Sequence, residues 1–379
     1  MNNIVILGGS DQQIPLLKEA KKRRYKVFLI DQDVNCEGRK LADVFFREDI
    51  HEKNYKKLYQ IIKQINPSIV TSIASDVAVR TVNKLVEALD LSGNSYEMAV
   101  LTTDKGKMKE KLLAEGLPTT KSFLIDKNSY DLKEFDLPLM VKASDRSGGR
   151  GVTYVETNDA LYDAINCAFQ SAFNGKVLIE GFFDGQQYSV ETISNKRKHQ
   201  IIGITEEFFT GKPDFVERQQ LFPARLNIEV LSKIEELVFK LLDTMDIQTG
   251  ACHVELRINS KGDLNIIEIA SRMGGDFRHE LIKSAKGISY VGLLMDALEG
   301  KDLNVKSKKN GHSLIHWACS KKDYDRIKEL AITYEHILVR NKLKNDNFNS
   351  ASTAKNGTER YGYTFYTSNS FEQISKLIF

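Results

Sequence analysis

Lysine and glycine residues recur in this sequence at a spacing that suits the binding of phosphate groups. Lys142 ends a short apolar segment that directly precedes the glycine-rich segment Ser147–Gly151. A glycine-rich hairpin lets backbone N–H groups approach phosphate oxygens, which bulkier side chains would block. A lysine on the preceding strand adds a positive charge for the same phosphates. The GxxxxGK[ST] pattern of a P-loop is absent, and an ordinary hairpin would explain this segment equally well.

Two glutamates stand in neighbouring apolar segments, Glu255 before and Glu268 after a turn at Ser260–Asp263. The turn predicts a hairpin, and pairing across it would place both carboxylates on one face about 5 Å apart. Buried like charges are costly unless a cation lies between them, and two carboxylates with phosphate oxygens suit Mg²⁺. The structural alternative, in which each glutamate pairs with a lysine or arginine, is equally consistent with the spacing.

An arginine follows the second glutamate closely in the sequence. Arg272 lies shortly after Glu268 and just before Gly274-Gly275. Its bidentate fork could hold a transferring phosphoryl group or a substrate carboxylate. The two glycines would let a ligand approach the backbone closely, which favours a functional role over a surface ion pair.

The elements that must position these residues begin with an alternation of apolar segments and helical patterns over the first hundred residues. This alternation is typical of a parallel sheet covered on both faces by helices. The predicted strands are Ile4–Leu7, Val27–Ile30, Val44–Phe46 and Ile69–Ile73, and the predicted helices include Tyr55–Ile65 and Val77–Leu89. Such sheets bind ligands at the carboxyl ends of their strands. Ser75 and Asp76 follow one of these ends and are therefore candidate substrate contacts.

Gly8-Gly9 follows the first predicted strand, and Asp31 comes roughly twenty residues later, which raises a dinucleotide-binding interpretation. That interpretation is weak because the third glycine of GxGxxG is missing. A simple tight turn and an anion site at the helix N-terminus are the two other interpretations, and the sequence does not separate them.

Taken in order, these motifs resemble the ATP-grasp superfamily, and they look most like its L-amino-acid ligase (carboxylate–amine ligase) branch. The resemblance covers essentially the whole chain. It begins with Asp104-Lys105, before the lysine and glycine loop described above. The segments that resemble the ligase branch are Thr249–Glu255, Ile267–Asp276 and Arg360–Tyr363.

The resemblance implies ATP and Mg²⁺ as cofactors and assigns roles to individual residues. Glu255 and Glu268 would hold Mg²⁺, and Arg272 would be catalytic, at the γ-phosphate and at the acyl phosphate formed from it. Glu180–Phe183 would form the adenine hinge. The residues implied to contact ATP are Lys105, Lys142, Ser147, Gly148, Gly149, Gly151, Glu180, Phe182, Phe183 and Gln187.

The sequence departs from the family pattern at two positions. Gln187 stands where the family often has a ribose-binding glutamate, so its hydrogen bond to a ribose hydroxyl would lack charge assistance. Ala270 stands where an asparagine usually follows the second metal glutamate, which removes one oxygen ligand for a second Mg²⁺. The ligase branch commonly shares this second change.

Other residues were weighed for a place in the site. His279 follows the glycine pair and could face the substrate, and Arg360 could belong to a segment that closes over the site. His253 could contact the substrate but is more typical of a structural strand residue. Core positions are predicted for Cys252, His316 and Trp317.

We therefore predict an α/β fold, with α+β character in its central part, of the ATP-grasp kind. Residues 1–100 would form a Rossmann-like domain with a parallel sheet, and residues 101–190 a small lid domain. Residues 191–379 would form a C-terminal mixed-sheet domain with the metal site and a closing tail. The lysine-rich stretch Lys301–Lys309 is read as a solvated linker.

The composition excludes several classes of protein. The chain has 379 residues, of which 41% are hydrophobic and 28% charged, and its 54 basic and 51 acidic residues nearly cancel. This balance gives no footprint for nucleic-acid binding. The four cysteines are widely spaced and form no CxxC pair, which argues against a disulfide framework. No targeting or membrane-spanning segment is visible, so we expect a cytoplasmic protein.

The function predicted on these grounds is an ATP-dependent ligase that joins a small-molecule carboxylate to an amine through an acyl phosphate. A biotin-independent carboxylase or formyltransferase of the same superfamily is the first alternative. A non-catalytic nucleotide-binding sensor is the second. The sequence names neither the acid nor the amine, and base rates favour a homodimer.

Overall fold

The computed structural model describes residues 2–126, 136–344 and 353–379, and its first unit is a parallel sheet flanked by helices. The strand order is β3-β2-β1-β4, and every pair in this sheet is parallel, as predicted. The elements are β1 (Asn3–Leu7), α1 (Ile14–Lys22), β2 (Lys26–Asp31), β3 (Val44–Arg47), α2 (Tyr55–Ile65), β4 (Ile69–Thr71), α3 (Asp76–Ala88) and α4 (Tyr96–Leu101). Asp31 accepts a hydrogen bond from the Gly9 N–H at 2.7 Å, so this carboxylate closes the first turn.

The second unit is a small antiparallel sheet with one covering helix. It contains α5 (Lys105–Ala114), β5 (Ser122–Asp126), β6 (Leu139–Ala143), β7 (Val152–Val155), α6 (Asn158–Ser171) and β8 (Lys176–Gly181). The strand order is β5-β8-β6-β7, with antiparallel pairs throughout. One face of this sheet packs on α6 through apolar side chains that include Val141, Ile179 and Ile165. The hairpin β6–β7 carries the glycine-rich segment at its turn.

The third unit is built on an eight-stranded sheet in the order β13-β12-β9-β10-β11-β14-β16-β15. Its strands are β9 (Gln186–Asn195), β10 (Lys198–Phe209), β11 (Glu217–Phe222), β12 (Gly250–Ile258), β13 (Leu264–Ala270), β14 (His312–Trp317), β15 (Leu338–Leu343) and β16 (Gly362–Ser368). Its helices are α7 (Ile228–Thr244), α8 (Arg278–Lys286), α9 (Tyr290–Leu298), α10 (Lys321–Thr333) and α11 (Phe371–Ser375). Each recorded pair in it is antiparallel, so the predicted mixed sheet is wrong in that respect.

Both faces of this large sheet are covered, which fixes the first unit against it. On one face, α8, α9 and the first unit share an apolar core; on the other, α7 packs with α4 and α5. Arg23, directly after α1, reinforces the first contact, because its guanidinium pairs with Asp296 at 2.7 Å and with Glu299 at 2.9 Å. The packing therefore holds the carboxyl ends of the N-terminal strands close to the β12–β13 hairpin. None of the helices in the described ranges combines the length and the apolar character that crossing a bilayer requires.

The core position of His316 gives the fold a testable pH dependence. Its side chain on β14 is fully buried, and this burial lowers its pKa from 6.5 to about 3. Between these values the unfolded chain binds a proton that the native protein does not, so stability falls as the pH falls, by up to about 1.4 kcal/mol per pH unit. Between pH 7 and pH 5, we expect the free energy of unfolding of His316→Gln to fall by about 2 kcal/mol less than that of the parent, as measured by urea unfolding. Equal losses in the two proteins would contradict this assignment.

Candidate active site

A cleft of about 1050 Å³ lies where the three units meet. The N-terminal unit contributes Asp76, the small sheet contributes Lys142 and its turn, and the large sheet contributes both glutamates of the hairpin. The predicted site residues that line it are Asp76, Lys105, Lys142, Ser147, Gly148, Gly149, Glu180, Phe182, Phe183, Gln187, Glu255, Glu268, Arg272 and Arg360. Most of the predicted residues thus converge on one cavity, although they come from all three parts of the chain.

Three predicted residues are not among those that line the cleft: Ser75, Gly151 and His279. His279 is buried on α8 with its Nε2 atom 3.8 Å from Glu280. Successive residues of a helix point about 100° apart, so Arg278 lines the cleft and His279 does not. The predicted residue His279 therefore lies outside the cleft lining, and its neighbour Arg278 stands there instead.

The glycine-rich turn presents open backbone to the cleft. Gly148 and Gly149 have positive φ angles of 68° and 74°, and a Cβ atom at Gly148 would meet nothing within 4 Å. Gly151 differs, because a Cβ there would lie 2.6 Å from Ser171 Cβ. The first two glycines thus leave room for a ligand, whereas Gly151 permits close packing against the end of α6.

Two lysines hold one buried glutamate at the base of the small sheet. Glu180 pairs with Lys142 and, at 3.0 Å, with Lys109. The side chains of Glu180 and Lys109 are almost fully buried. Burial alone would raise the pKa of Glu180, but the two ammonium groups outweigh it and lower the pKa to about 2. Lys142 lines the cleft, so its ammonium group is available there to phosphate oxygens. Sequence reasoning missed Lys109, although it lies four residues after Lys105 on α5 and so shares its helix face.

The two hairpin glutamates face each other in register, as predicted. Glu255 of β12 is paired directly with Glu268 of β13, and both line the cleft. Lys105 donates to Glu268 at 2.8 Å, and Gln187 donates to Glu255 at 3.2 Å. Glu268 and Glu255 thus have protein donors, and a carboxylate with its about four lone-pair sites can still accept a further ligand.

This arrangement fits Mg²⁺, which binds through one or two carboxylates together with phosphate oxygens and waters. Within the described residues, no group of three or more His, Cys, Asp and Glu side chains could hold a metal by itself. A cation here would thus need oxygen ligands from a bound phosphate in addition to Glu255 and Glu268.

His253 supports the first of these glutamates from behind. Its Nδ1 atom lies 2.5 Å from the buried Glu191 and its Nε2 atom 3.3 Å from Glu255. Burial would lower the pKa of His253, but the carboxylate of Glu191 outweighs it and raises the pKa to about 10. The imidazolium is therefore held between two carboxylates and keeps Glu255 in place.

An aromatic group marks one end of the cleft. Phe182 and Phe215 lie 5.6 Å apart, with the guanidinium of Arg257 4.8 Å from the Phe182 ring. Arg257 also donates to the carbonyl of Phe183 at 3.1 Å and to Gln187 Oε1 at 3.1 Å. Flat aromatic rings near the lysines suit a planar nucleobase that carries phosphates.

A second part of the cleft is lined by charged pairs that the sequence did not reveal. Arg278 bridges Glu207 at 2.5 Å and Glu217 at 2.8 Å. Arg360 donates to Asp276 at 2.7 Å and stacks 3.8 Å from the centre of the Trp317 ring. Both acidic and basic groups are thus available to a second ligand.

A strained turn lies beside these charged pairs. Asp276 and Phe277 have positive φ angles of 49° and 62°, which non-glycine residues rarely adopt. Each such residue costs on the order of 1–3 kcal/mol, and strain of this kind collects at functional sites. The turn connects Arg272 to Arg278, so it sets the separation of two cationic side chains in the cleft.

The position of Gln187 supports a test of the carboxylate cluster that needs no substrate. Its Nε2 atom donates to Glu207 at 3.0 Å as well as to Glu255. Gln187→Glu would replace this donor by a third carboxylate, next to those of Glu207 and Glu255. We expect this change to lower the unfolding free energy by about 1–3 kcal/mol, and Mg²⁺ to restore part of the loss. Thermal unfolding with and without Mg²⁺ measures both effects. The matched control is Gln186→Glu, and equal stability of the two variants at every Mg²⁺ concentration would contradict the expectation.

Comparison with known proteins agrees with this geometry. Residues 135–280 match the ATP-grasp domain family. The alanine–anticapsin ligase of Bacillus subtilis is 24% identical over 288 residues, which cover 67% of this chain and 60% of that protein. The chain spans 51% to 60% of the length of the first curated relatives that it matches.

Solved structures show the same fold over nearly the whole chain. An L-amino acid ligase from Bacillus licheniformis superposes with a TM-score of 0.77 at 19% identity, covering 100% of this chain and 96% of that one. An N5-carboxyaminoimidazole synthetase from Staphylococcus aureus, complexed with ADP, superposes with a TM-score of 0.78 at 17% identity. That comparison covers 99% of this chain and 95% of the other.

Proposed function

Because residues 135–280 form an ATP-grasp domain, we propose that this protein is an ATP-dependent carboxylate–amine ligase. The proposed reaction forms an amide through an acyl phosphate and releases ADP and phosphate. The observation that carries the proposal is the convergence of two lysines, two carboxylates in register and one arginine in a single cleft. Relatives named as ligases support the amide-forming reaction.

Phosphate activation is the central chemical need of such a reaction. A carboxylate is a poor electrophile, and transfer of the γ-phosphoryl group to it creates an acyl phosphate that an amine can attack. We assign Lys105 and Lys142 to the phosphates of ATP, with Glu180 holding Lys142 in place. Arg272 is assigned to the charge that develops on the transferred group, since fixed donors are most effective there.

Mg²⁺ would be held by Glu255 and Glu268, and when bound it supplies positive charge that neutralises the phosphate oxygens. The chain itself prepares this position. His253 and Gln187 fix Glu255, while Lys105 fixes Glu268. The aromatic group at Phe182 is assigned to the adenine.

The reacting groups must also be shielded from water, because an acyl phosphate hydrolyses readily. The glycine turn and the C-terminal segment already touch, since the Gly357 N–H donates to the Gly148 carbonyl at 3.2 Å. We assign these two segments to the cover over the cleft. The end with Arg278, Asp276 and Arg360 is assigned to the carboxylate and amine substrates.

The test is a screen for ADP release with pairs of carboxylates and amines, including amino acids and sugar acids as acyl donors. We expect ADP to form only when a matching acid and amine are both present. Turnover that depends on bicarbonate or formate without an amino acid would favour the carboxylase or formyltransferase alternative. A protein that binds Mg-ATP but releases no ADP with any pair would contradict the ligase assignment.

A further inference from the structure

Asp76 holds Arg272 across the boundary between the N-terminal unit and the large sheet. The Nε atom of Arg272 donates to Oδ1 of Asp76 at 2.6 Å, and Nη2 donates to Oδ2 at 3.0 Å. This is the bidentate geometry that fixes a guanidinium plane most firmly. The side chain of Asp76 is 26% exposed and that of Arg272 is 14% exposed, so solvent competes weakly for either partner.

The hydrogen bonds of Arg272 leave part of its donor capacity for a ligand. A guanidinium has five N–H donors. Among the described residues, Asp76 takes two and the carbonyl of Met273 takes a third, from Nη1 at 3.1 Å. The side chain lines the cleft, so the remaining donors belong to a guanidinium that is already oriented before a ligand arrives.

Two further residues that line the cleft, Lys105 and Ser147, act on the same carboxylate. Burial would raise the pKa of Asp76, but attraction to Arg272 and Lys105 and a hydrogen bond from Ser147 outweigh it and lower the pKa to about 2. Asp76 is thus ionised at neutral pH. It joins the first turn of α3, the helix α5 and the glycine-rich turn to the segment after β13.

We propose that Asp76 is a positioning residue that orients Arg272 toward the terminal phosphate of the bound nucleotide. This inference rests on the proposed function, because it requires ATP in the cleft. It replaces the interpretation of Asp76 as a direct substrate contact, since both carboxylate oxygens are engaged by Arg272. An ionised carboxylate from the N-terminal unit therefore acts on phosphoryl transfer through another side chain.

Nucleotide affinity measured without acid or amine tests the proposal. Trp317 is the single tryptophan and lines the cleft, so its fluorescence can follow binding. Affinities for ADP and for a non-hydrolysable ATP analogue are measured with Mg²⁺ in the parent, Asp76→Asn, Arg272→Ala and the double variant. We expect Asp76→Asn to reduce the preference for the triphosphate about tenfold while the affinity for ADP stays within about twofold. Adding Asp76→Asn to Arg272→Ala should change the preference no further.

Glu52→Gln is the matched control, because Glu52 pairs with Arg80 at 3.1 Å in the same unit with similar burial. It should leave the preference for the triphosphate unchanged. If Arg272→Ala does not fold, Arg272→Lys replaces it, both as the single variant and in the double variant with Asp76→Asn. An unchanged preference in Asp76→Asn, equal losses for both nucleotides, or additive effects in the double variant would each overturn the proposal. A parent protein that binds neither nucleotide would instead contradict the proposed function, and the inference with it.

Discussion

Replacing Glu268 by glutamine is expected to lower the kcat for ADP release by about 10³-fold or more, the largest effect of any single change considered. The side chain keeps its shape but loses its charge. One of the two carboxylates that face each other across β12 and β13 would then be neutral. Lys105, which now donates to Glu268 at 2.8 Å, would keep a hydrogen-bond acceptor but lose its counter-charge. The measurement is steady-state ADP release at saturating nucleotide, acid and amine.

The matched control for this change is Glu236→Gln on the exposed face of α7, which should retain full activity. Glu268→Gln should still bind ATP in the absence of Mg²⁺, because Lys105, Lys142 and the glycine turn are unchanged. Activity of Glu268→Gln within tenfold of the parent would contradict the assignment of this carboxylate to the cation. A loss of structure in circular dichroism would direct the test to Glu255→Gln instead.

Replacing Arg272 by alanine is expected to lower kcat by about 10³-fold while KM for ATP rises only about tenfold. The arginine is assigned to the charge that develops during phosphoryl transfer, so its loss should act on the transition state more than on binding. Arg272→Lys should recover little of the loss, because an ammonium group cannot reproduce the bidentate contact with Asp76.

The control for this change is Arg197→Ala, which removes an exposed pair with Asp246, and neither of these two residues lines the cleft. It should alter neither kcat nor KM. If Arg272→Ala raised KM for ATP and left kcat unchanged, the side chain would serve only in ground-state binding. The assigned catalytic role of Arg272 would then be wrong.

Sequence reasoning located the central residues of the site because their positions are set by local rules. The turn at residues 260–263 sets the pairing of β12 with β13, which brings the two glutamates close together. Strand alternation alone would place Glu255 opposite Ile267, and a bulge between Glu255 and Leu256 shifts it opposite Glu268. The glycine turn and Lys142 lie in one hairpin, and the N-terminal sheet followed from the alternation of apolar strands and helices. Their proximity to one another came from a family resemblance that spans all three units.

The rest of the site depends on contacts between distant parts of the chain. Asp76 and Arg272 are separated by 196 residues, and no local pattern marks them as partners. Glu207 lies on β10 and lines the cleft, where it pairs with Arg278, which is 71 residues away in the sequence. Arg278 lines the cleft and His279 does not, because successive residues at the start of a helix point in different directions. Such details require the tertiary structure.

The measurement that tests the central claim most directly follows the oxygen atoms of the acid substrate. Once an active pair is found, the carboxylate is labelled with heavy oxygen, and the phosphate and amide products are analysed by mass spectrometry. Attack of the carboxylate on the γ-phosphoryl group predicts one labelled oxygen in each phosphate released, with one phosphate and one ADP for every amide formed. Unlabelled phosphate accompanying the amide, or AMP in place of ADP, would contradict the acyl-phosphate mechanism.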